Sequence, residues 1–147
     1  ATAIDSMRTL NRAASEILVA TGVTGATDVT GFGLLGHGLE MARASGGRFV
    51  FAADALPALP GALELAAAGV ETGGAAHNRR FVRDELEVGA GVSDEVVTLA
   101  HDPQTSGGLL AAVPADRVGE VNERLDEAGI GSWRVGRVEE GAGVSLR

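Results

Sequence analysis

The run Thr27-Asp28-Val29-Thr30-Gly31-Phe32-Gly33-Leu34-Leu35-Gly36-His37 leaves this part of the chain few structural choices. Thr and Asp favour places where a side-chain oxygen meets a free backbone N–H, and Gly31 and Gly33 permit unusual φ and close approach. The run therefore reads as a tight turn that opens a helix. Beyond the turn Phe32, Leu35, Leu39 and Ala42 share one helical face, and Gly46-Gly47 stand where a C-cap glycine belongs. Such a helix start offers unpaired N–H groups and the positive end of a dipole to a phosphate, and a carboxylate beside it can hold a hard cation that bridges to that phosphate. Asp28 is the carboxylate in question. Two readings stay open at this point: Asp28 binds a cation, or it caps the helix while the glycines only shape the turn.

A chain of 147 residues fits one domain, spanning 1–147, with a single core. It has no apolar run near the roughly 18 residues of a membrane span, and its N-terminus lacks the basic-then-apolar pattern of a signal peptide, so no membrane partner and a cytoplasmic location are expected. Cysteine is absent, which excludes disulfides, thiolate metal sites and a cysteine nucleophile within these residues. Lysine is absent as well, and the net charge of -8 argues against nucleic acid as a partner. Metal ions would let such a chain approach a nucleotide.

Thr2 and Asp5 have capping-box spacing, and Ile4, Met7, Leu10, Ala14, Ile17 and Leu18 recur at helical intervals up to Gly22, predicting one amphipathic helix with a core-facing stripe. Arg48 to Ala52 has strand composition; Pro57 and Pro60 mark a boundary before a short helix from Gly61 to Ala68. Gly73-Gly74 opens another helical turn, a further anion site if Asn78 and Arg79 or Arg80 take part, or a plain turn capped by Asn78. Ser93 is placed to cap a helix that delivers the chain to Asp102. The apolar run Gly108 to Val113 predicts a strand buried on both faces, closed by Pro114. Val118, Val121, Leu125 and Ala128 are helical in spacing, Trp133, Val135 and Val138 alternate as a strand does, and Val144-Ser145-Leu146 follows a glycine turn, so the last third reads β-α-β-β. Helices packed on a small sheet, an α/β (α+β) domain, follow from this pattern. His37 and Glu40 lack the second histidine of a zinc helix, so His37 reads as structural. His101 beside Asp102 has the chemistry to bind a metal, although loop His-Asp pairs commonly face solvent. Thr105 and Ser106 have no adjacent base, which favours a hydroxyl-and-amide phosphate cradle over a nucleophile.

The second glycine-rich run, Asp102-Pro103-Gln104-Thr105-Ser106-Gly107-Gly108-Leu109-Leu110, sharpens the reading. Taken in this order, T-D-V-T-G-F-G-L-L-G-H and D-P-Q-T-S-G-G-L-L resemble the C-terminal domain of the selenophosphate synthetase (selenide, water dikinase) family. The resemblance extends from Leu10-Asn11-Arg12-Ala13-Ala14 to the final Val144-Ser145-Leu146. It implies a layered α/β/α domain with a small mixed sheet and partly ferredoxin-like topology. It further implies an enzyme that makes selenophosphate, AMP and phosphate from ATP, water and selenide with Mg2+, the nucleotide lying between two domains. On this resemblance Asp28 is a magnesium ligand, and Thr27, Gly31, Gly33, Asn78, Thr105, Ser106 and Gly107 face phosphate or nucleotide. The family usually carries Gly-Gly-Thr-x-Arg-Asn where this chain has Ala75 and His77. Its reactive Cys or selenocysteine, the accompanying Lys and the other metal-binding aspartates belong to an N-terminal domain. No catalytic residue is therefore expected here, and the chain is expected to be the C-terminal half of a homodimeric enzyme, partnered by that N-terminal domain. Aminoimidazole ribonucleotide synthetase, thiamine-monophosphate kinase and hydrogenase-maturation proteins share the fold; the D-P-Q-T-S-G-G run favours the first assignment over them. A non-catalytic binding or assembly module is the alternative from another class.

Overall fold

The computed structural model describes residues 2–147. In chain order the elements are α1 (Thr2–Arg8), α2 (Arg12–Ala20), β1 (Gly25–Asp28), α3 (Gly33–Ser45), β2 (Gly47–Phe51), α4 (Ala62–Ala67) and α5 (Ala75–Val82). They continue with β3 (Leu86–Val88), α6 (Asp94–His101), β4 (Leu109–Ala112), α7 (Val118–Glu127), β5 (Gly136–Glu140) and β6 (Val144–Leu146).

The helix opened by the glycine-rich run packs against α5, α6, β1, β2 and β6. Leu35, Leu39 and Ala42 of α3 are buried, and Gly46 at φ +68° ends the helix with its N–H on the Ala42 carbonyl. Gly38 lies on the buried face because a Cβ there would stand 2.7 Å from the Phe51 ring. The helix thereby sits low on a four-stranded sheet of order β3-β6-β2-β5, in which β2 runs parallel to β6 and antiparallel to β5. Phe49, Phe51, Val144 and Leu146 turn toward α3, alternating with Val50 and Ser145 on the opposite face as period-two strands require.

β1 and β4 form a separate antiparallel ribbon, with Gly25 opposite Ala112 and Asp28 opposite Leu109. The ribbon divides two cores. Leu110 faces the large cluster built around α3, whereas Leu109, Ala111 and Val113 pack on Leu18, Val23, Val121 and Leu125 beneath α2 and α7. The expected α/β layering is present, built on two small sheets rather than one. Both faces of β4 thus meet an apolar core, as its run suggested, but only Leu110 is fully buried and the other strand residues are partly covered because a two-stranded ribbon has no flanking strands.

The single first helix of the sequence reading is two. Thr9 ends α1 by placing both its N–H and its hydroxyl on the Asp5 carbonyl, and Asn11 turns its side chain away to another loop. α1 buries nothing, with Ile4 56% and Met7 40% exposed, and Leu10 in the link to α2 is 78% exposed. Helical spacing says which residues share a side and not whether anything covers it. Trp133 is exposed and precedes β5, so the strand begins later than its alternation suggested.

Candidate functional site

At the end of the ribbon the two motifs leave their strands side by side, and the backbone stitches them together. Val29 N–H donates to the Gly108 carbonyl at 2.9 Å, and Gln104 N–H donates to the Thr30 carbonyl at 2.9 Å. Four of the five motif glycines divide into two pairs. Gly33, at φ +67°, would place a Cβ 3.0 Å from the Asp102 and His101 carbonyl oxygens, and a Cβ on Gly107 would overlap the Val29 carbonyl oxygen. Those two are small for internal reasons. Gly31 and Gly108 have nothing within 4 Å of a built Cβ and no positive φ, so the fold itself does not demand them.

Two asparagines brace the crossing. Asn78, expected to face phosphate, is 2% exposed, and its Nδ2 donates to the carbonyls of Gly31 and His101, each at 2.9 Å. It holds the site from beneath. Asn11 Nδ2 donates to the Gly107 carbonyl at 2.9 Å, which places the junction of α1 and α2 against the second motif. Ser6, Thr9 and Asn11 line a depression of about 200 Å³ opposite Ser106, Gly107 and Gly108. Periodicity gave no sign of these three, since their part in the site depends on the break between the two helices.

Asp28 does not cap α3. It is the last residue of β1, its backbone occupied in the ladder with Leu109, and α3 begins only at Gly33 after Phe32, which makes no side-chain cap bond. The Asp28 carboxylate is exposed and makes no ion pair or side-chain hydrogen bond among the described residues. Thr27 is half-buried, its hydroxyl 3.2 Å from the Asp28 carbonyl. Thr105 and Ser106 are exposed; Ser106 takes φ +61°, the one positive φ outside glycine among the described residues. A non-glycine residue held there is strained, and such strain concentrates at functional loops.

On α5, Ala75 is buried and His77 exposed, the two positions that depart from the family pattern. Arg79 is engaged by Glu71 at 2.9 Å and Thr98 at 2.8 Å, which leaves the exposed Arg80 as the freer cation. His101 is not solvent-facing. It is the last residue of α6, 3% exposed, with Nδ1 2.7 Å from the Val97 carbonyl, and burial pushes its pKa below the ordinary value. Asp102 accepts a hydrogen bond from the Thr72 hydroxyl at 2.8 Å.

No group of three or more His, Asp or Glu side chains able to hold a metal ion occurs among the described residues. Magnesium takes about six oxygen ligands, often from only one or two carboxylates with phosphate and water completing the shell. An exposed, unpaired carboxylate at a braced strand end fits one such position. Asp28 is thus the one motif carboxylate placed to supply such an oxygen.

A ribbon end stitched to a glycine-rich helix start, over a four-stranded mixed sheet, defines the class. Residues 3–147 match the AIR synthase related protein, C-terminal domain, family, and the chain belongs to it. Within that class the sequence is similar to the selenide, water dikinase of Caldanaerobacter subterraneus subsp. tengcongensis, at 43% identity over 94% of this chain and 40% of that protein. The selenide, water dikinase of Pseudomonas straminea is 40% identical over 95% of this chain and 39% of its own length. The resemblance read from the two motifs is borne out, and the chain spans about 40% of the length of these relatives. Among solved structures, the thiamine-monophosphate kinase of Stenotrophomonas maltophilia K279a superposes with a TM-score of 0.56 at 23% identity, over 84% of this chain and 31% of that one. A Thermus thermophilus protein gives 0.57 at 22% identity, over 89% and 34%. These likenesses show the fold.

Proposed function

We propose that this chain is the C-terminal half of a selenide, water dikinase and acts with the remainder of a longer protein to make selenophosphate, AMP and phosphate from ATP, water and selenide. The observation that carries the reading is the joining of Asp28 and the Thr105–Gly108 loop on one surface, in a chain 43% identical to a protein of that name. Asp28 serves as one oxygen ligand of Mg2+, which when bound neutralises and orients the polyphosphate. The hydroxyls of Thr105 and Ser106 and the loop N–H groups donate to phosphate oxygens, and Gly31 and Gly108 let the nucleotide approach the backbone. Thr27 supports the strand end beside Asp28.

The chain has neither Cys nor Lys, so the selenium-handling nucleophile and its lysine are assigned to the remainder of the protein. That N-terminal domain is also the proposed partner of the exposed Ile4, Met7 and Leu10 side chains. The proposal extends to a cytoplasmic homodimer; no helix of the described residues is long and apolar enough to cross a membrane.

The test is Asp28→Ala in the whole protein, read by selenide-dependent AMP formation. Loss of activity is expected, with stability changed by no more than about 0.5 kcal/mol because the exposed side chain makes no contact that folding needs. Retention of full activity would refute the metal assignment.

A further inference from the structure

A buried histidine that the proposed chemistry leaves unused closes the first motif. His37 of α3 is 7% exposed, with Nε2 3.1 Å from Thr30 Oγ1 and Nδ1 3.1 Å from Glu40 Oε2. The Nδ1 contact is an electrostatic approach without full hydrogen-bond alignment. The Phe32 ring packs beside the imidazole, the two centroids 5.5 Å apart.

Thr30 is where the two loops cross: its carbonyl accepts from Gly33 N–H at 3.0 Å and from Gln104 N–H at 2.9 Å. Its hydroxyl direction depends on the imidazole. A neutral histidine carries one ring proton. With that proton on Nδ1, it faces the Glu40 carboxylate, Nε2 is an acceptor, and the Thr30 O–H donates to it. With the proton on Nε2, the Nδ1 lone pair faces a carboxylate oxygen, and the two repel. Glu40 thus selects the first tautomer.

We infer that His37, oriented by Glu40, is a positioning residue that holds the Thr30 hydroxyl proton inward and so locks the crossing of the two loops. In this state Thr30 can offer only oxygen lone pairs to the site. It serves as an acceptor toward a cation or its bound water and is not a donor to phosphate, a role left to Thr105, Ser106 and the loop amides. The tautomer and the lock stand on geometry alone; their meaning for the site rests on the reading under Proposed function.

The experiment uses the 15N-labelled chain without nucleotide or metal. Long-range 1H–15N spectra of the imidazoles, with exposed His77 as internal reference, are expected to show His37 protonated on Nδ1 and accepting at Nε2. Thr30→Val keeps the shape and removes the donor, so the Nε2 shift moves and exchange of the Gln104 amide speeds up about tenfold, the ratio for loss of one ordinary hydrogen bond. Thr30→Ser, which restores the hydroxyl, returns both readouts toward wild type. A His37 ring protonated on Nε2, or a Thr30→Val variant with wild-type ring shifts and wild-type Gln104 exchange, would overturn the inference. Because neither readout involves catalysis, this failure is distinct from retention of activity in Asp28→Ala.

Discussion

Gly107 and Gly108 stand next to each other in the second motif, and the structure gives them opposite tolerance for a methyl group. A Cβ on Gly107 would overlap the Val29 carbonyl oxygen and lie 3.0 Å from Gln104 Cβ. The oxygen belongs to backbone that is itself tied to Gly108 through the Val29 N–H, so it cannot swing aside as a side-chain tip would. Forcing the loops apart costs about 1–3 kcal/mol by overpacking. Weakening the Val29 N–H···Gly108 and Asn11 Nδ2···Gly107 hydrogen bonds adds about 1 kcal/mol each. Gly107→Ala should therefore destabilise the chain by roughly 3–5 kcal/mol, a fall in Tm of about 10–16 °C for a domain of this size. Gly108→Ala meets nothing within 4 Å and needs no positive φ. It should be neutral or stabilise by up to about 1 kcal/mol through the reduced freedom of the unfolded chain. Urea titrations of the two variants beside the parent decide the matter. Coincident midpoints for the two alanines would refute the close-approach argument and with it the stitched geometry of the site.

Asn78→Ala leaves two carbonyls without their donor beneath the site and is expected to cost about 2–4 kcal/mol, read by urea denaturation. Gly38→Ala drives a methyl against the Phe51 ring and should cost about 1–3 kcal/mol, read the same way. Burial lowers the His101 pKa below its ordinary 6.5, so on acidification the unfolded chain binds a proton that the folded chain refuses. The associated stability is fully present above about pH 6.5 and is lost as pH falls below it; His101→Gln should shrink the difference between melts at about pH 5.5 and pH 7.5.

What the sequence made legible was the local chemistry of strongly patterned segments. The Leu35, Leu39 and Ala42 stripe of α3 and its glycine end, the short α4 and the closing β-α-β-β order all follow from spacing and from residues with one conformational habit, whereas Phe32, read as part of that stripe, precedes α3 and is 38% exposed. The two motifs also announced themselves as partners. Features set by contacts between distant segments were not legible. Asp28 resembles a helix cap until β4 arrives to draw it into a ladder, and Asn78 resembles a surface amide until the carbonyls of Gly31 and His101 close over it. The break between α1 and α2 is invisible to periodicity because Ile4, Met7 and Leu10 keep the stripe going across it. His101 looks like loop from its neighbours and is interior because it ends α6.

The hydrogen bond from Asn11 to Gly107 joins residues 96 positions apart. Closing a chain loop of that length costs about 4 kcal/mol in its length-dependent entropy, which the two-stranded ribbon, its loop bonds and the apolar packing of Leu18 and Val23 with Leu109, Ala111 and Val121 together offset. In folding, the crossing forms only after the chain has been brought back on itself. Any molecule that touches both Asp28 and the Ser106 loop acts as a temporary cross-link. At a hundredfold excess over its dissociation constant it contributes about 2.7 kcal/mol, comparable with the closure it enforces. Occupancy and order of the ribbon then rise together, and amide exchange at Val29 and Gln104 should slow in step as the molecule is added.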